Sequence, residues 1–267
     1  MSLLYFEIFQ RDERTVPITE RALAYGDGLF TTAKISYGKI ELIDEHINRL
    51  RQGAQRLGIK VSLNGLVERL GAIASEYEIA VLKVVISAGE GGRGYSRINS
   101  CSQKILISVH PFPEYYFDWQ QNGISLGVAK TAIGINPLLA GLKHLNRLEQ
   151  IIVRQELDAR PEDDLVVTDC QGNVIEVSAG NLFWLHLNSK TWQTPALDSA
   201  GVNGLIRQNL VEQLDSVEEI TVQIGGLVNA RSMFICNSVM GVVPIKTYLD
   251  KPLDVAPVMQ LKKHFEL

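Results

Sequence analysis

Apolar positions along the chain fall into two rhythms, one suited to strands and one to helices. Phe30 to Ile35 and Lys39 to Leu42 flank Tyr37-Gly38, which predicts a hairpin. Asp44-Glu45 then opens a helix with apolar residues at Ile47, Leu50, Ala54 and Leu57 and a stop at Gly58. A second helix is expected from Leu63 to Tyr77, with Leu66, Leu70 and Ile73 on one face. Val81 to Ala88 and Ile105 to Val109 read as buried strands. Further on, Ile124 to Ala129 predicts a strand and Leu145 to Leu157 a helix. Asp164 to Asp169, Val174 to Glu176 and Asn181 to Leu187 predict strands around the turn Gln171-Gly172-Asn173. Leu205 to Leu214 reads as a helix, Met233 to Asn237 as a short strand and Val258 to Phe265 as a final helix. The fold class is α+β.

Pro111-Phe112-Pro113 breaks the pattern, and the polar stretch Asp118 to Asn122 follows it. This predicts a small N-terminal α/β domain over residues 1–114, a linker over 115–122 and a larger C-terminal domain over 123–267. A length of 267 residues allows that division, at ~100–200 residues per domain.

Composition narrows the classes further. Hydrophobic residues make up 46% of the chain and charged residues 21%, an ordinary globular balance. The net charge of −4 offers nothing to a polyanion, so no nucleic-acid partner is expected. Cys101, Cys170 and Cys236 match neither a metal pattern nor a disulfide framework. The start, Met1 to Glu7, lacks the pattern of a signal peptide, and no apolar stretch approaches the ~18 residues of a membrane span. These features predict a cytoplasmic protein with no membrane partner.

The five histidines, His46, His110, His144, His186 and His264, sit in no metal-binding motif, so no metal is expected. Gly89 to Gly94 formally matches a dinucleotide-binding glycine pattern, but Tyr95 to Ser100 does not read as the helix that would follow. The stretch reads either as a flexible loop or as a mobile arm bringing Arg93 and Tyr95 to an anionic substrate.

Lys143 lies between an apolar segment, Ala132 to Leu142, and the start of a helix. An ordinary lysine, with a pKa of ~10.4, is a poor nucleophile, whereas a desolvated one forms Schiff bases or acts as a base. Glu176 is a single carboxylate in a mostly apolar hairpin; it either faces solvent or pairs with a buried cation. Ala200-Gly201-Val202-Asn203-Gly204 leads into a helix, either as a simple turn or as a backbone cradle for phosphate. Arg49, in Glu45-His46-Ile47-Asn48-Arg49-Leu50, is either solvated or a phosphate ligand.

Together these pieces resemble the fold-type IV pyridoxal-phosphate enzymes. The class IV signature reads here as Glu176, Ser178, Asn181-Leu182-Phe183, Thr194, Val202, Gly204-Leu205 and Arg207. Trp192 stands where an aliphatic residue or Phe is usual. Gly26-Asp27-Gly28-Leu29-Phe30 and His46 to Leu50 carry the resemblance in the first half. Phe30-Thr31-Thr32-Ala33, Gly91 to Ser96 and Gly141 to Gln150 look like the aminodeoxychorismate lyase branch of that family. Branched-chain aminotransferases usually carry Phe-Glu-Gly at the first of these places, and D-amino-acid aminotransferases an aromatic-Glu pair; Thr31 and Thr32 depart from both.

The resemblance implies the fold-type IV fold and pyridoxal 5'-phosphate as cofactor. Lys143, in the larger domain, is then the Schiff-base lysine and moves the substrate proton; Thr32 helps protonate the leaving enolpyruvate. Glu176 pairs with the cofactor's ring nitrogen. Arg49, the backbone N–H groups of Leu205 and Ile206, and Asn237 or Ser238 bind its phosphate. Arg93 and Tyr95 contact the substrate carboxylates. The implied activity converts 4-amino-4-deoxychorismate, a small-molecule substrate, to 4-aminobenzoate and pyruvate in folate biosynthesis, in a homodimer. The alternative is a class IV aminotransferase acting on D-amino or branched-chain amino acids.

Overall fold

The computed structural model describes residues 3–12, 14–100, 103–187, 189–214 and 216–265, with Phe265 described by its backbone only. Met1, Ser2 and Cys101, used in the sequence reading, lie outside the described residues. The chain divides into two compact units: Met1–Pro113 with Leu142–Asn146, and Glu114–Gly141 with Arg147–Leu267.

The first unit contains β1 (Tyr5–Ile8), α1 (Arg21–Tyr25), β2 (Gly28–Ser36), β3 (Lys39–Ile40), α2 (Ile43–Arg56), α3 (Leu66–Ala74), β4 (Ile79–Ser87) and β5 (Lys104–His110). The strands form an antiparallel sheet in the order β1-β5-β4-β2-β3. Alternation along β2 sends Leu29, Thr31, Ala33 and Ile35 to one face. The apolar members of that row pack with Ile47, Leu50 and Ala54 of α2 and Leu66, Leu70 and Ile73 of α3. Gly53 lets α2 come close: a Cβ there would stand 2.4 Å from Leu29 Cδ1. Burial of a side chain such as Leu50, which is 0% exposed, stabilises the unit by about 1.5–3 kcal/mol.

The second unit contains α4 (Tyr115–Asn122), β6 (Ile124–Val128), α5 (Leu148–Asp158), β7 (Asp164–Thr168), β8 (Val174–Val177), β9 (Asn181–His186) and β10 (Trp192–Pro195). It continues through α6 (Leu205–Gln213), β11 (Val217–Ile220), a 3-10 helix over Ile224–Asn229, β12 (Ala230–Asn237), β13 (Gly241–Tyr248), β14 (Lys251–Pro252) and α7 (Ala256–Phe265). Its mixed sheet runs β11-β10-β9-β12-β13-β6-β7-β8, with β14 paired to β13. Both faces of β9 are covered, and Leu182 to Leu185 form a continuous apolar run rather than an alternating one. Phe183 stacks on Phe234 with ring centroids 4.7 Å apart.

Several elements differ from the sequence expectation, which also held no β1, α1, β10 or β11. Residues 115–122, expected as a linker, form α4 inside the second unit. Tyr115, Tyr116 and Trp119 cluster there, the last two pack on the core, and Gln120 Nε2 donates to Met240 O at 2.7 Å. The helix expected from Leu145 begins at Leu148. Residues 142–146, expected in the C-terminal domain, belong to the first unit because they pair with β2. β13, absent from the expected strands, forms despite Pro244.

Cys170 is exposed and Cys236 buried, both as free thiols. Among the described residues, no helix is long and apolar enough to cross a membrane.

Candidate active site

In the first unit the strand edge positions the lysine. β3 pairs only with the far end of β2, so Gly28 to Phe30 offers open backbone groups. The segment carrying Lys143 takes them: Phe30 N donates to Lys143 O at 2.9 Å, and Leu145 N to Gly28 O at 3.0 Å. Asn146 Nδ2 adds a bond to Gly26 O at 3.2 Å. Gly28 is required on this edge, because a Cβ would stand 2.2 Å from Ile86 O. The half-buried Lys143 thus lays its ammonium 4.5 Å from the Phe30 ring centroid, within cation–π range.

A second lysine, which the sequence reading did not single out, shares that ring. Lys83 Nζ lies 5.0 Å from the Phe30 centroid, and burial lowers its pKa. Its sequence signal was a lone cation inside the apolar run Val81 to Ala88. Thr32 stands opposite Lys83 in the β2–β4 register and shares the Phe30 face.

The two neighbouring threonines separate. Thr31 points inward, and its Oγ1 lies 2.5 Å from His46 Nδ1 on α2. His46 is 2% exposed, and its Nε2 has no hydrogen-bond partner among the described residues. Burial, then the charges of Arg49 and Lys143, press its pKa down to about 3, so the imidazole is neutral at working pH. Arg49 follows one turn later on α2, half-buried, and burial lowers its pKa to about 10. Arg93 and Tyr95 lie in the exposed loop between β4 and β5, with Tyr95 89% exposed and edge-on to Tyr25.

In the second unit, side chains hold backbone in place. Glu176 on β8 is 6% exposed, and its Oε2 accepts from Val202 N at 3.0 Å. It therefore lies inside the fold and not on a solvent face. Gly201 has φ +81°, and a Cβ there would crowd Ile175 Cγ2 at 2.7 Å. Asn181 clamps the same turn from both sides, donating to Val202 O at 2.8 Å and accepting from Gly204 N at 3.0 Å. Gly204 opens α6, whose first residues are Leu205 and Ile206; the first N–H groups of a helix have no partner within it. A Cβ on Gly204 would stand 2.2 Å from Asn181 Oδ1.

Asn237 ends β12 and builds a tight turn, its Oδ1 accepting from Val239 N and Met240 N at 2.8 Å each. Its Nδ2 donates to Ala179 O at 2.9 Å, so this side chain shapes the turn, and Ser238 follows it half-buried. Arg147 lies within electrostatic reach of Glu176: burial lowers its pKa, and the charges of Glu176 and Glu149 oppose that.

These residues fit a phosphorylated aldehyde cofactor. In the first unit Lys143 offers an amine and Arg49 a cation; in the second, the helix opening at Gly204 offers backbone N–H groups, held where Asn181 leaves no room for a Cβ. Glu176 supplies a buried carboxylate.

Comparison with known proteins extends the picture. A family described as "Amino-transferase class IV" matches residues 28–248. The chain is 37% identical to an aminodeoxychorismate lyase of Vibrio harveyi over 236 residues, 86% of each chain. It is 25% identical to a D-alanine aminotransferase of Bacillus licheniformis over 89% of this chain and 84% of that one. The crystal structure of 4-amino-4-deoxychorismate lyase from Pseudomonas aeruginosa superposes with a TM-score of 0.90 at 30% identity, covering 98% of this chain and 100% of that one.

Proposed function

The chain belongs to the class IV aminotransferase family, and from that premise we propose that it is a pyridoxal-phosphate-dependent lyase converting 4-amino-4-deoxychorismate to 4-aminobenzoate and pyruvate. The observation that carries the lyase reading is the 37% identity to the Vibrio harveyi lyase, against 25% to the Bacillus licheniformis aminotransferase. The Thr31–Thr32 pair supports it, since the aminotransferases of this family usually place a carboxylate there.

When bound, pyridoxal 5'-phosphate supplies an aldehyde carbon for amines and a protonated ring that accepts an electron pair. Lys143 is the residue that would hold it covalently. Glu176 would accept the hydrogen bond of the protonated ring nitrogen and keep it protonated. Arg49 and the N–H groups of Leu205 and Ile206 would hold the phosphate, helped by the turn at Asn237 and Ser238.

Lys143, displaced by the substrate amine and neutral, would take the proton from the amine-bearing ring carbon. The neighbouring carbon–oxygen bond would then break with departure of the enolpyruvyl group. Thr32 would direct a proton to the departing group, which becomes pyruvate while the ring becomes aromatic. Arg93 and Tyr95 would receive substrate carboxylates. The same reading makes the protein a cytoplasmic homodimer; sedimentation at the mass of two chains is the expected outcome.

The test is incubation of cofactor-loaded protein with 4-amino-4-deoxychorismate while 4-aminobenzoate and pyruvate are both measured. Equal amounts of the two are expected, and absence of both would remove the lyase assignment. D-Alanine or a branched-chain amino acid should convert little of the cofactor to its amine form; full conversion would favour transamination.

A further inference from the structure

The loop between β4 and β5 holds Arg93 and Tyr95 on a backbone rich in glycine. Gly91, Gly92 and Gly94 have φ values of 97°, 77° and 61°, which L side chains rarely adopt. A Cβ on Gly92 would stand 2.0 Å from Ser96 O, so the loop also folds tightly on itself. A chain of this kind loses much conformational entropy when it is fixed. Something must hold it.

Arg21 does so. It is the first residue of α1 and is 3% exposed. Its Nη1 donates to Gly91 O and Gly94 O at 3.3 Å each and to Ser96 O at 3.0 Å. Its Nη2 donates to Tyr95 O at 3.1 Å. Its Nε meets Asp27 Oδ2 at 2.7 Å, which balances the buried charge. The guanidinium also lies 5.0 Å from the Tyr25 ring, the ring that Tyr95 meets edge-on at 5.7 Å.

The same carboxylate reaches the loop's far end. Arg97 Nε donates to Asp27 Oδ2 at 2.9 Å, its Nη2 contacts Asp27 Oδ1, and its Nη1 donates to Leu57 O. Burial alone would raise the Asp27 pKa, but the hydrogen bonds from Arg97 and Arg21 outweigh it and hold the group below its usual range.

We propose that Arg21 is a positioning residue whose planar guanidinium templates the backbone of residues 91–96 and so presents Arg93 and Tyr95 to the substrate. The presentation rests on the substrate role given to Arg93 and Tyr95 above; the templating does not. Arginine suits the task because its five N–H donors diverge in one plane. A lysine has three donors on one atom and cannot span four carbonyls and a carboxylate. Without the template, the ordering of the loop falls to substrate binding, which raises KM and leaves the chemical step largely untouched.

The experiment compares wild type, R21K, R93A and R21K/R93A as cofactor-loaded proteins. R21K should raise KM for 4-amino-4-deoxychorismate by about tenfold with kcat within about twofold, and leave cofactor affinity unchanged. In the R93A background, R21K should raise KM by clearly less than it does in wild type, because only the presentation of Tyr95 is then left to lose; an undiminished effect would overturn the presentation of Arg93. Amide hydrogen exchange of residues 89–100 should accelerate in R21K without any substrate present. If R21K does not fold, D27N, which weakens the anchoring of both Arg21 and Arg97, carries the same readouts. Unchanged exchange in the loop would overturn the templating. Accelerated exchange with unchanged KM would overturn the presentation of Arg93 and Tyr95. A wild type that releases neither product would fault the lyase reading alone, while the exchange result still decides the template.

Discussion

The two units hold their candidate residues by different physical means. In the first, the candidates are side-chain cations: Lys143 beside Lys83 at the Phe30 ring, and Arg49 one turn beyond His46. Burial presses His46 down to about 3, so it is neutral, and lowers Arg49 to about 10, which leaves it cationic at neutral pH. In the second unit, backbone amides are held by side chains: Val202 N by Glu176, Gly204 N by Asn181, and the 239–240 amides by Asn237. On the proposed reading, a substitution at Lys143 removes a reacting group, whereas one at Gly204 displaces a frame. The first should therefore give abrupt losses and the second graded ones.

Lys143→Ala tests the abrupt side most severely. Turnover should fall by at least ~10³-fold, the scale of a lost general base, and the visible absorbance of the lysine-bound cofactor should vanish. Retained absorbance would move the covalent link to another lysine. Lys83 is the first rival, because it shares the Phe30 ring.

Glu176→Gln keeps an oxygen for Val202 N and removes only the charge. The cofactor should still load, with its absorbance intact, while kcat falls by about 10²-fold, the scale of one lost electrostatic contact. An unchanged kcat would make Glu176 a structural clamp for the 200–204 turn and nothing more.

The same contrast explains what was legible in the sequence. Glu176 stands out because a charge in an apolar hairpin needs a physical reason, and Lys143 follows an apolar segment, whereas Arg49 sits among polar neighbours and gains its weight only from the resemblance. The Gly201 to Gly204 turn is visible because glycine marks where a side chain would collide. His46 is readable in retrospect: with Leu50 and Gly53 it lines the buried helical face. The allegiance of residues 142–146 left no local mark, since their pairing with β2 depends on an edge that β3 leaves open. α4 was hidden because Asp118 and Gln120 to Asn122 read as linker, while Tyr116 and Trp119 pack on a core built mostly from residues distant in sequence. β13 was hidden by Pro244 and by its reliance on β12 and β6.

Gly204→Ala probes the frame directly. The new methyl would collide with Asn181 Oδ1, break the bond to Gly204 N and shift the opening of α6. Loss of about one hydrogen bond corresponds to roughly tenfold weaker cofactor binding, measurable by fluorescence titration. Undiminished affinity would mean that the amides at the α6 N-terminus do not hold the phosphate.

The smallest expected effect on activity comes from Asp164, which sharpens the contrast through pH. It is buried in the second unit and accepts from Leu165 N at 2.7 Å and Ser178 N at 3.1 Å, yet burial raises its pKa to about 6. A folded-state pKa above the unfolded value gives stability that is full below pH ~3.8 and is lost as pH rises through about 6. His46 has the opposite sign: its folded-state pKa is depressed, so its contribution is full above pH ~6.5 and is lost as pH falls towards about 3. These two buried groups thus respond to pH in opposite directions. Asp164→Asn keeps an acceptor oxygen and cannot ionise. Relative to wild type, it should gain stability between pH 4 and 6 and hold that gain above pH 6, up to about 3 kcal/mol for a shift of roughly two pKa units. Its kcat should stay within about twofold, because no reacting group is touched. Urea denaturation of both proteins across pH 4 to 7.5 decides the point: a gap that widens with pH supports ionisation of a buried carboxylate, and a constant gap means that Asp164 acts only through its shape and hydrogen bonds.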